Sequence, residues 1–475
     1  MKTINIILYI AFAAFLFACS NKKYEEINKD VNDATDMPTR SIVPDAELKS
    51  AFEVNGTDIA WYATVYIEHS AGTWAQSATA DKRVAQNDAS LFNNNWVSIY
   101  DVMEECKTII DKTAAGQEEE ASTWTRGIAY CLMAYNLSYA TDMWGEVPYE
   151  EALQGSDNLQ PAYENQSALY PKIQMLLDSA IANFEKGGIT FAAYDYIYAG
   201  DQDKWIKACW SLKARYYMRL SQRDPDASTK ALACIPNGFT SGDDNFLFAA
   251  YGEAATAQNP WYQFLNDRTH LSSGMTLFNL MNDRNDPRMD AYFTKIGDPP
   301  AFNPAPNGTA TENQGGMYST SLITEEGITA PTPLMTYHEL KFIEAEAKFR
   351  TGDASYVYSL GEAVAANFIF HGVDVGLVQD YMVNNVAPHL TPGNELNEII
   401  TQKYIAFYEA EASEAYNDYR RMGVPTMHNP NNQTAGFVNR FPYAISEVSS
   451  NPSHVPDIDV FVNKVWWAGG DELVK

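Results

Sequence analysis

The stretch at residues 138–153, SYATDMWGEVPYEEAL, closes one helical pattern and opens another. An aromatic helical run stops at Asp142; Trp144, Gly145 and Pro148 follow before acidic, helix-like spacing resumes. Proline cannot continue a helix and holds the preceding residue in an extended backbone, and Gly145 permits a tight turn. We predict that Trp144 seals a gap between helical hairpins and that Asp142 bonds the backbone amides of the turn. A ligand contact at this corner is the less favoured alternative.

Amphipathic helical patterns dominate on both sides of this corner. The patterns form three pairs and the start of a fourth, at residues 93–111 with 122–142, 167–188 with 201–220, 337–353 with 355–372, and 394–423. Small residues at the expected helix crossings favour tetratricopeptide-like packing, namely Gly127, Ala208, Ala345 and Ala347. The strict 34-residue consensus is absent. We predict a mostly α fold of about four such hairpins that acts as a curved frame for loops.

The character of the chain changes at residues 236–333, which are rich in Pro, Gly and Asn. Long irregular insertions in a compact domain are usually functional or disordered. We predict that this insertion forms a ligand surface on a single domain that spans residues 46–475.

The N-terminus predicts export. Residues 1–18 carry Lys2 and a short apolar run, and the sequence Leu16-Phe17-Ala18-Cys19 is typical of a bacterial lipobox. We therefore predict a signal peptide at 1–18, lipidation of Cys19, and a tether at 19–45. The alternative is an ordinary signal peptide, which the poor A-x-A pattern before Cys19 disfavours.

The charge balance limits the classes of partner. The chain has 33 basic and 61 acidic residues and a formal net charge of -28. Such a charge argues against nucleic acids and anionic membrane surfaces as the main partners. It is compatible with a neutral ligand, or with one steered by local charge.

Catalytic and metal-binding patterns are missing from the sequence. There is no GxSxG, HExxH or P-loop motif in a suitable context, no two of the seven histidines share i, i+4 spacing, and no pair of carboxylates stands out as a glycosidase pair. We predict a protein that is not an enzyme and has no cofactor or metal. Acidic loops such as 241–246 leave a structural calcium open, without an EF-hand pattern.

Cysteines and arginines have structural interpretations. We expect Cys106, Cys131, Cys209 and Cys234 to be buried free thiols, with a Cys106–Cys131 bridge as the alternative. We expect two arginine pairs to form ion pairs with acidic residues of adjacent hairpins. The expected pairs are Arg215 and Arg219 with Glu344 or Glu346, and Arg420 and Arg421 with Glu414.

Aromatic residues outside the helical patterns are the candidates for ligand contact. Neutral glycans bind on aromatic faces, with amide, carboxylate or guanidinium groups on their hydroxyls. Our predicted shallow ligand surface consists of Trp74, Asp81, Arg83, Trp261 and Tyr318. The alternative for Trp261 is that it only anchors the insertion. Exposed and converging Trp74 and Trp261 would favour binding, whereas two buried tryptophans would favour a scaffold or lid.

An ordered set of segments resembles the SusD/RagB family of outer-membrane nutrient-binding lipoproteins nearly end to end. The clearest is YATDMWGEVPYEEAL at 139–153. The others are YEEINKDVNDATDMPT (24–39), WVSIYDVMEECKTII (96–110), IYAGDQDKWIKACWSLKARYYMRLS (197–221), NDRNDPRM (282–289), ELKFIEAEAKFRTGD (339–353), IITQKYIAFYEAEASEAYNDYRRMGVP (399–425) and RFPYAISEVSSNP (440–452). One departure is Glu411-Ala412-Ser413, where the family often has a Gly beside its Glu.

The resemblance implies a function in nutrient capture. Members of this family are lids and capture proteins on TonB-dependent transporters, usually for glycans and sometimes for peptides, and their ligand loop falls near residues 70–88. The expected function is capture of an extracellular oligosaccharide and its delivery to a SusC-like transporter from a lipid anchor on the cell-surface face of the outer membrane. The alternatives are a peptide-capturing lipoprotein and a scaffold or lid without a ligand.

Overall fold

The computed structural model describes residues 37–409 and 411–474, and over this range the fold is mostly helical, as predicted. The predicted signal peptide, Cys19 and the tether as far as residue 36 lie outside the described residues. Among the described residues, no helix combines the length and the apolar character that a membrane span requires.

The longer helices form the frame. In chain order the helices are α1 Val43–Lys49, α2 Asp58–Tyr66, α3 Ala75–Asp81, α4 Asn93–Lys112, α5 Thr123–Trp144, α6 Gln166–Glu185, α7 Gln202–Arg219, α8 Ala227–Cys234, α9 Pro260–Arg268, α10 Met275–Asn282, α11 Met289–Tyr292, α12 Leu322–Glu325, α13 Tyr337–Arg350, α14 Tyr356–Phe370, α15 Val378–Tyr381, α16 Glu395–Ala406, α17 Ala412–Met422, α18 Asn431–Thr434 and α19 Ile445–Ser450. The strands are β1 Ser70–Gly72, β2 Phe246–Phe248, β3 Leu271–Ser273 and β4 Thr332–Met335.

The four predicted hairpins are present. Helix α4 packs on α5, α6 on α7, α13 on α14, and α16 on α17, while α5 also packs on α6. The hairpins are therefore stacked side by side, which confirms the tetratricopeptide-like architecture. The small residue Gly127 lies where α5 meets α6, facing the ring of Phe184.

The corner at residues 142–148 is architectural. Trp144 is fully buried, its ring lies 5.2 Å from that of Trp96, and its indole N–H donates to the carbonyl of Pro442 at 2.8 Å. Gly145 ends α5 with a φ of 84°, and the Arg440 guanidinium donates to the carbonyl of Trp144. Trp144 therefore has a structural role, as predicted, but it seals the first hairpin against the C-terminal segment and not against another hairpin.

Asp142 does not bond the amides of the turn, contrary to the prediction. Its side chain accepts from the indole N–H of Trp467 at 2.9 Å and from the hydroxyl of Tyr170, and it lies 3.3 Å from Nε of Arg219. The sequence could not indicate this role because Trp467 is more than 300 residues further along the chain.

Three of the four predicted arginines form ion pairs inside the frame, but with partners other than those expected. Arg215 on α7 donates from Nε to Glu339 of α13 at 2.7 Å, and Arg219 pairs with Glu414 of α17. Arg421 on α17 donates from Nη2 to Glu346 of α13 at 2.7 Å. These buried contacts connect three hairpins, and we call them the inter-hairpin ion network.

Two further pairings expected from the sequence are not formed. Glu344 pairs instead with Lys341 and Lys348 on its own helix. Arg420 donates to the Asn417 side chain and to the carbonyl of Asn439, and its guanidinium lies 4.0 Å from the ring centroid of Tyr416.

The insertion at 236–333 is more ordered than its composition indicates. It contains short helices, strands β2 and β3, and the start of β4. Strand β3 is antiparallel to β1, with Leu271 opposite Gly72, and β2 is antiparallel to β4, with Phe246 opposite Met335. The β1–β3 ladder fastens the insertion to the frame, and the β2–β4 ladder joins the two ends of the insertion.

Cys106, Cys131, Cys209 and Cys234 are free and buried, as expected, so the alternative Cys106–Cys131 bridge is not formed. Burial raises the pKa of the Cys106 thiol well above its usual range. For Cys131, contact with the thiol of Cys209 and burial both raise the pKa.

Candidate ligand-binding surface

Trp74 leaves the frame immediately after strand β1 and is 38% exposed. The preceding residue, Thr73, is held from two sides. Its N–H donates to the carbonyl of His270 at 2.9 Å, and its carbonyl accepts from the N–H of Asn313 at 2.8 Å. Because its neighbour is fixed by two chain segments, Trp74 presents a large aromatic face on a restrained backbone.

Gly72 explains why the strand and α3 approach so closely. A Cβ atom at this position would lie 1.8 Å from the carbonyl oxygen of Ser77. Only glycine therefore allows α3 to pack on the end of β1, and this contact restricts the chain on both sides of Trp74.

The loop at residues 309–318 forms the other side of this surface. Its backbone meets β3 where the N–H of Ser273 donates to the carbonyl of Ser319 at 2.8 Å. The Gln314 side chain donates to the carbonyl of Arg268 at 3.0 Å, and the Tyr318 hydroxyl accepts from the N–H of Thr311 at 3.1 Å. Tyr318 is half-buried and lies beside the exposed Met317. We call Trp74, His270, Asn313, Gln314, Met317 and Tyr318 the Trp74 surface.

Two polar atoms of the Trp74 surface lack a hydrogen-bond partner in the described part of the chain. They are Oδ1 of Asn313 and Nδ1 of His270, and both are buried. Burial, reinforced by the nearby Arg268, lowers the pKa of His270, so its imidazole is neutral at neutral pH. Because both atoms are buried, the exposed amide of Gln314 is the neutral group of this surface that a hydroxyl ligand can reach.

Asp81 and Arg83 lie behind this surface instead of on it. Both are almost fully buried. Asp81 accepts from the N–H of Gly308 at 2.7 Å and from the Asn429 amide at 3.1 Å, and Arg83 donates to the carbonyls of Ala80 and Tyr66 at 3.0 and 3.1 Å. Their side chains fasten loops to each other, so we do not retain them as ligand contacts.

Trp261 lies in the interior and does not converge with Trp74. It is 6% exposed, and it occupies the first turn of α9, where the Asn259 side chain accepts from its N–H at 2.8 Å. The seven residues from Trp261 to Arg268 correspond to about 10 Å of helix, and Arg268 is the end that contacts the Trp74 surface. The five predicted residues therefore do not form one cluster: Tyr318 lies in the loop whose Asn313 bonds the residue before Trp74, and Trp261 is separate.

His270 and Asn313 were not predicted. Asn313 and Gln314 stand in the same polar loop as Tyr318, so loop composition could have indicated them. Nothing in the sequence near His270 marks it, because its position depends on pairing with a strand about 200 residues earlier.

In the acidic loop at 241–246, the buried carboxylate of Asp244 is already occupied by contacts within the chain. Asp244 is paired with Nζ of Lys207 at 2.9 Å and accepts from the N–H of Thr240 at 2.8 Å. Within residues 37–409 and 411–474, no group of three or more His, Cys, Asp or Glu residues is arranged to hold a metal ion.

Comparison with known proteins places the chain in a family. A family model described as starch-binding and associating with the outer membrane matches residues 36–444. The crystal structure of a SusD/RagB family protein from Bacteroides thetaiotaomicron is 32% identical, with a TM-score of 0.84 over 92% of this chain and 100% of that chain. The protein belongs to the SusD/RagB family.

More distant SusD-like structures share the fold. A chitin-binding protein is 23% identical with a TM-score of 0.75, over 90% of this chain and 99% of its own. A chitin-binding SusD homolog from Flavobacterium johnsoniae is 20% identical with a TM-score of 0.75, over 90% of this chain and 98% of its own. The comparison with curated proteins gave no match.

Proposed function

We propose that this SusD/RagB family protein captures an oligosaccharide on the Trp74 surface and delivers it to a TonB-dependent, SusC-like outer-membrane transporter. The proposal includes a lipid anchor at Cys19 and a position on the cell-surface face of the outer membrane. It involves binding only; the chain supplies no catalytic step.

The observation that carries the proposal is the exposed indole of Trp74 on a restrained backbone. An aromatic face stacks on the C–H side of a sugar ring, and it loses little conformational entropy on binding when its backbone is already fixed. The exposed Gln314 side chain supplies a neutral hydrogen-bonding amide beside it.

The charge of the molecule favours a neutral glycan. With a net charge of -28, the protein repels polyanions over the distance of the Debye length. The groups named above at the Trp74 surface are uncharged at neutral pH, and the nearby Lys82 is neutralised by an ion pair with Glu312 at 2.5 Å.

Calorimetric titration with maltooligosaccharides and chitooligosaccharides tests the proposal. These probes follow from the description of the family and from the chitin-binding structural relatives. We expect one series to bind and Trp74→Ala to weaken that binding at least tenfold, about 1.4 kcal/mol. Trp210→Ala is the matched control, since Trp210 is a half-buried tryptophan on α7 in the helical frame.

The same titration distinguishes the alternatives. If short peptides bind in place of glycans and Trp74→Ala weakens peptide binding, the capture function is retained, with peptides as the substrate class. If neither class binds until the transporter is added, the protein is a lid or scaffold and the Trp74 surface is not a ligand site.

A further inference from the structure

A cavity of about 170 Å³ lies beneath the first turn of α9, away from the Trp74 surface. Its walls come from three parts of the fold: α9, the segment that contains α12, and the junction of the third and fourth hairpins. We call it the Trp261 cavity, and its principal lining residues are Trp261, Thr324, Phe370, His371, Tyr408 and Glu409.

Three polar atoms in the walls of the Trp261 cavity have no hydrogen-bond partner in the described part of the chain. They are Nε1 of Trp261, Oγ1 of Thr324 and Nε2 of His371. Trp261 and Thr324 are both more than nine-tenths buried. Leaving a buried polar atom unpaired is destabilising, so an occupant that bonds these three atoms would stabilise the walls of the cavity.

Glu409 adds a fourth polar group to the same walls. Its backbone has a φ of 74°, a left-handed conformation that is unusual for a residue with a side chain. The Ser321 hydroxyl donates to its Oε2 at 2.7 Å, and no cation pairs with it among the described residues. Burial raises the pKa of Glu409 to about 8, which keeps the carboxyl protonated at neutral pH.

Most of the remaining walls are apolar. The exceptions are Asn259, whose amide oxygen accepts from the N–H of Trp261, and Glu411, whose carboxylate accepts from the Thr336 hydroxyl at 2.8 Å and lies 2.7 Å from Nε2 of His338. The ring of Phe370, the ring of Tyr408 and the side chains of Ile323, Pro331 and Pro333 supply flat and aliphatic surfaces. A cavity of about 150 Å³ holds one six-membered ring, as an engineered cavity that binds benzene demonstrates. The Trp261 cavity is therefore large enough for one ring and too small for a chain of them.

The polar and apolar walls together restrict the chemistry of the occupant. A purely apolar ring would leave the indole N–H and the threonine hydroxyl unpaired. A charged ligand would find no free counter-charge, because the Glu411 carboxylate is already bonded to His338 and Thr336, and the imidazole of His371 is kept neutral by a pKa lowered by burial. The occupant must combine apolar faces with uncharged hydrogen-bonding groups.

We propose that the Trp261 cavity is a second binding site that takes one uncharged, hydroxylated six-membered ring, either a free monosaccharide or the terminal residue of a glycan. The indole N–H of Trp261 donates to a ring hydroxyl, and Thr324 and His371 exchange hydrogen bonds with its neighbours. This site does not depend on the Trp74 surface, and each can exist without the other.

The test follows the indole N–H resonance of Trp261 in ¹⁵N-labelled full-length protein. The resonance is assigned by its loss in Trp261→Phe. D-glucose, N-acetyl-D-glucosamine, maltose and chitobiose are titrated separately. We expect at least one sugar to shift this resonance saturably, both in the wild type and in Trp74→Ala. A shift with monosaccharides identifies a free sugar as the ligand, and a shift with disaccharides alone identifies a glycan terminus.

Thr324→Val is the matched variant, since it keeps the side-chain shape and removes only the unpaired hydroxyl. We expect Thr324→Val to reduce roughly fivefold the affinity for the sugar that shifts the Trp261 resonance, which corresponds to the loss of one neutral hydrogen bond. The proposal is overturned if none of the four sugars moves the resonance, which would leave a cavity that holds water only. It is also overturned if Thr324→Val binds as tightly as the wild type. Neither result would affect calorimetric binding at Trp74.

Discussion

At the scale of single residues, Glu409 shows how burial alone can make stability depend on pH. Its carboxyl has a pKa raised to about 8 by burial, against an ordinary value of 4.5. Between these two values the folded protein keeps a proton that the unfolded chain has lost. The free energy of unfolding therefore falls as the pH rises from about 5 to 8, and the contribution is constant above that window.

Replacing Glu409 by Gln should remove this contribution, because the amide does not titrate. We expect Glu409→Gln to gain roughly 2–4 kcal/mol relative to the wild type between pH 5 and pH 8, at about 1.4 kcal/mol per pKa unit. Urea unfolding at both pH values measures the change. The exposed Glu118, changed to Gln, is the control and should follow the wild type. Parallel curves for Glu409→Gln and the wild type would contradict this account.

Two buried threonines should respond in opposite ways to the loss of a hydroxyl. The hydroxyl of Thr324 has no partner in the described chain, so Thr324→Val should leave the protein as stable as the wild type or up to about 1 kcal/mol more stable. The hydroxyl of Thr113 donates to the carbonyl of Ile109 at 2.6 Å and accepts from Arg126. Thr113→Val should therefore lose about 1–2 kcal/mol. Chemical denaturation of both variants measures their free energies of unfolding. Equal losses of stability would contradict this prediction.

At the scale of the element, two glycines inside helices distinguish the effect of side-chain packing on stability from the effect of helix propensity. A Cβ on Gly127 in α5 would lie 2.6 Å from the ring of Phe184 in α6, whereas a Cβ on Gly361 in α14 would meet open space. We expect Gly361→Ala to stabilise the protein by about 0.5–1 kcal/mol through helix propensity. Gly127→Ala should instead destabilise it by about 1–3 kcal/mol through overpacking. Thermal unfolding of the two variants measures the sign of each change in stability. Stabilisation by both substitutions would refute the contact at Gly127.

The long helices were predictable from the sequence because apolar residues recur along them at helical spacing, although α5 is buried on nearly all of its faces. The short elements of the insertion were not. Strand β3 has three residues, and its partner β1 lies about 200 residues earlier, so no local pattern in the sequence predicts this strand. The candidate site follows the same division. Exposure of Trp74 agrees with its position in a polar, non-periodic segment, whereas the burial of Asp81 depends on Gly308 and Asn429, which only the folded chain brings near.

At the scale of the whole molecule, the inter-hairpin ion network fixes the hairpins relative to one another. Arg421 is buried between Glu346 on α13 and Asp418 on its own helix α17. Both carboxylates have lowered pKa values: burial acts against the shift, and nearby cations, Arg421 among them, outweigh it. Removing the arginine would leave two carboxylates in the interior with fewer cations.

We expect Arg421→Ala to lower the free energy of unfolding by about 3–5 kcal/mol, the usual effect of breaking one side of a buried ion pair. Lys107→Ala removes an exposed pair with Asp111 on α4 and should cost less than about 1 kcal/mol. Urea unfolding at neutral pH compares the two. A small effect of Arg421→Ala would show that the hairpins are held by apolar contacts alone.

The buried thiols of Cys106, Cys131, Cys209 and Cys234 have a consequence for how opening of the fold can be observed. A thiol that is inaccessible does not react with an alkylating reagent, so native molecules keep these four positions unlabelled. Each becomes reactive only when its part of the frame opens. Peptide mapping after a pulse of iodoacetamide therefore follows the opening of α4, α5, α7 and α8 separately, without any engineered label.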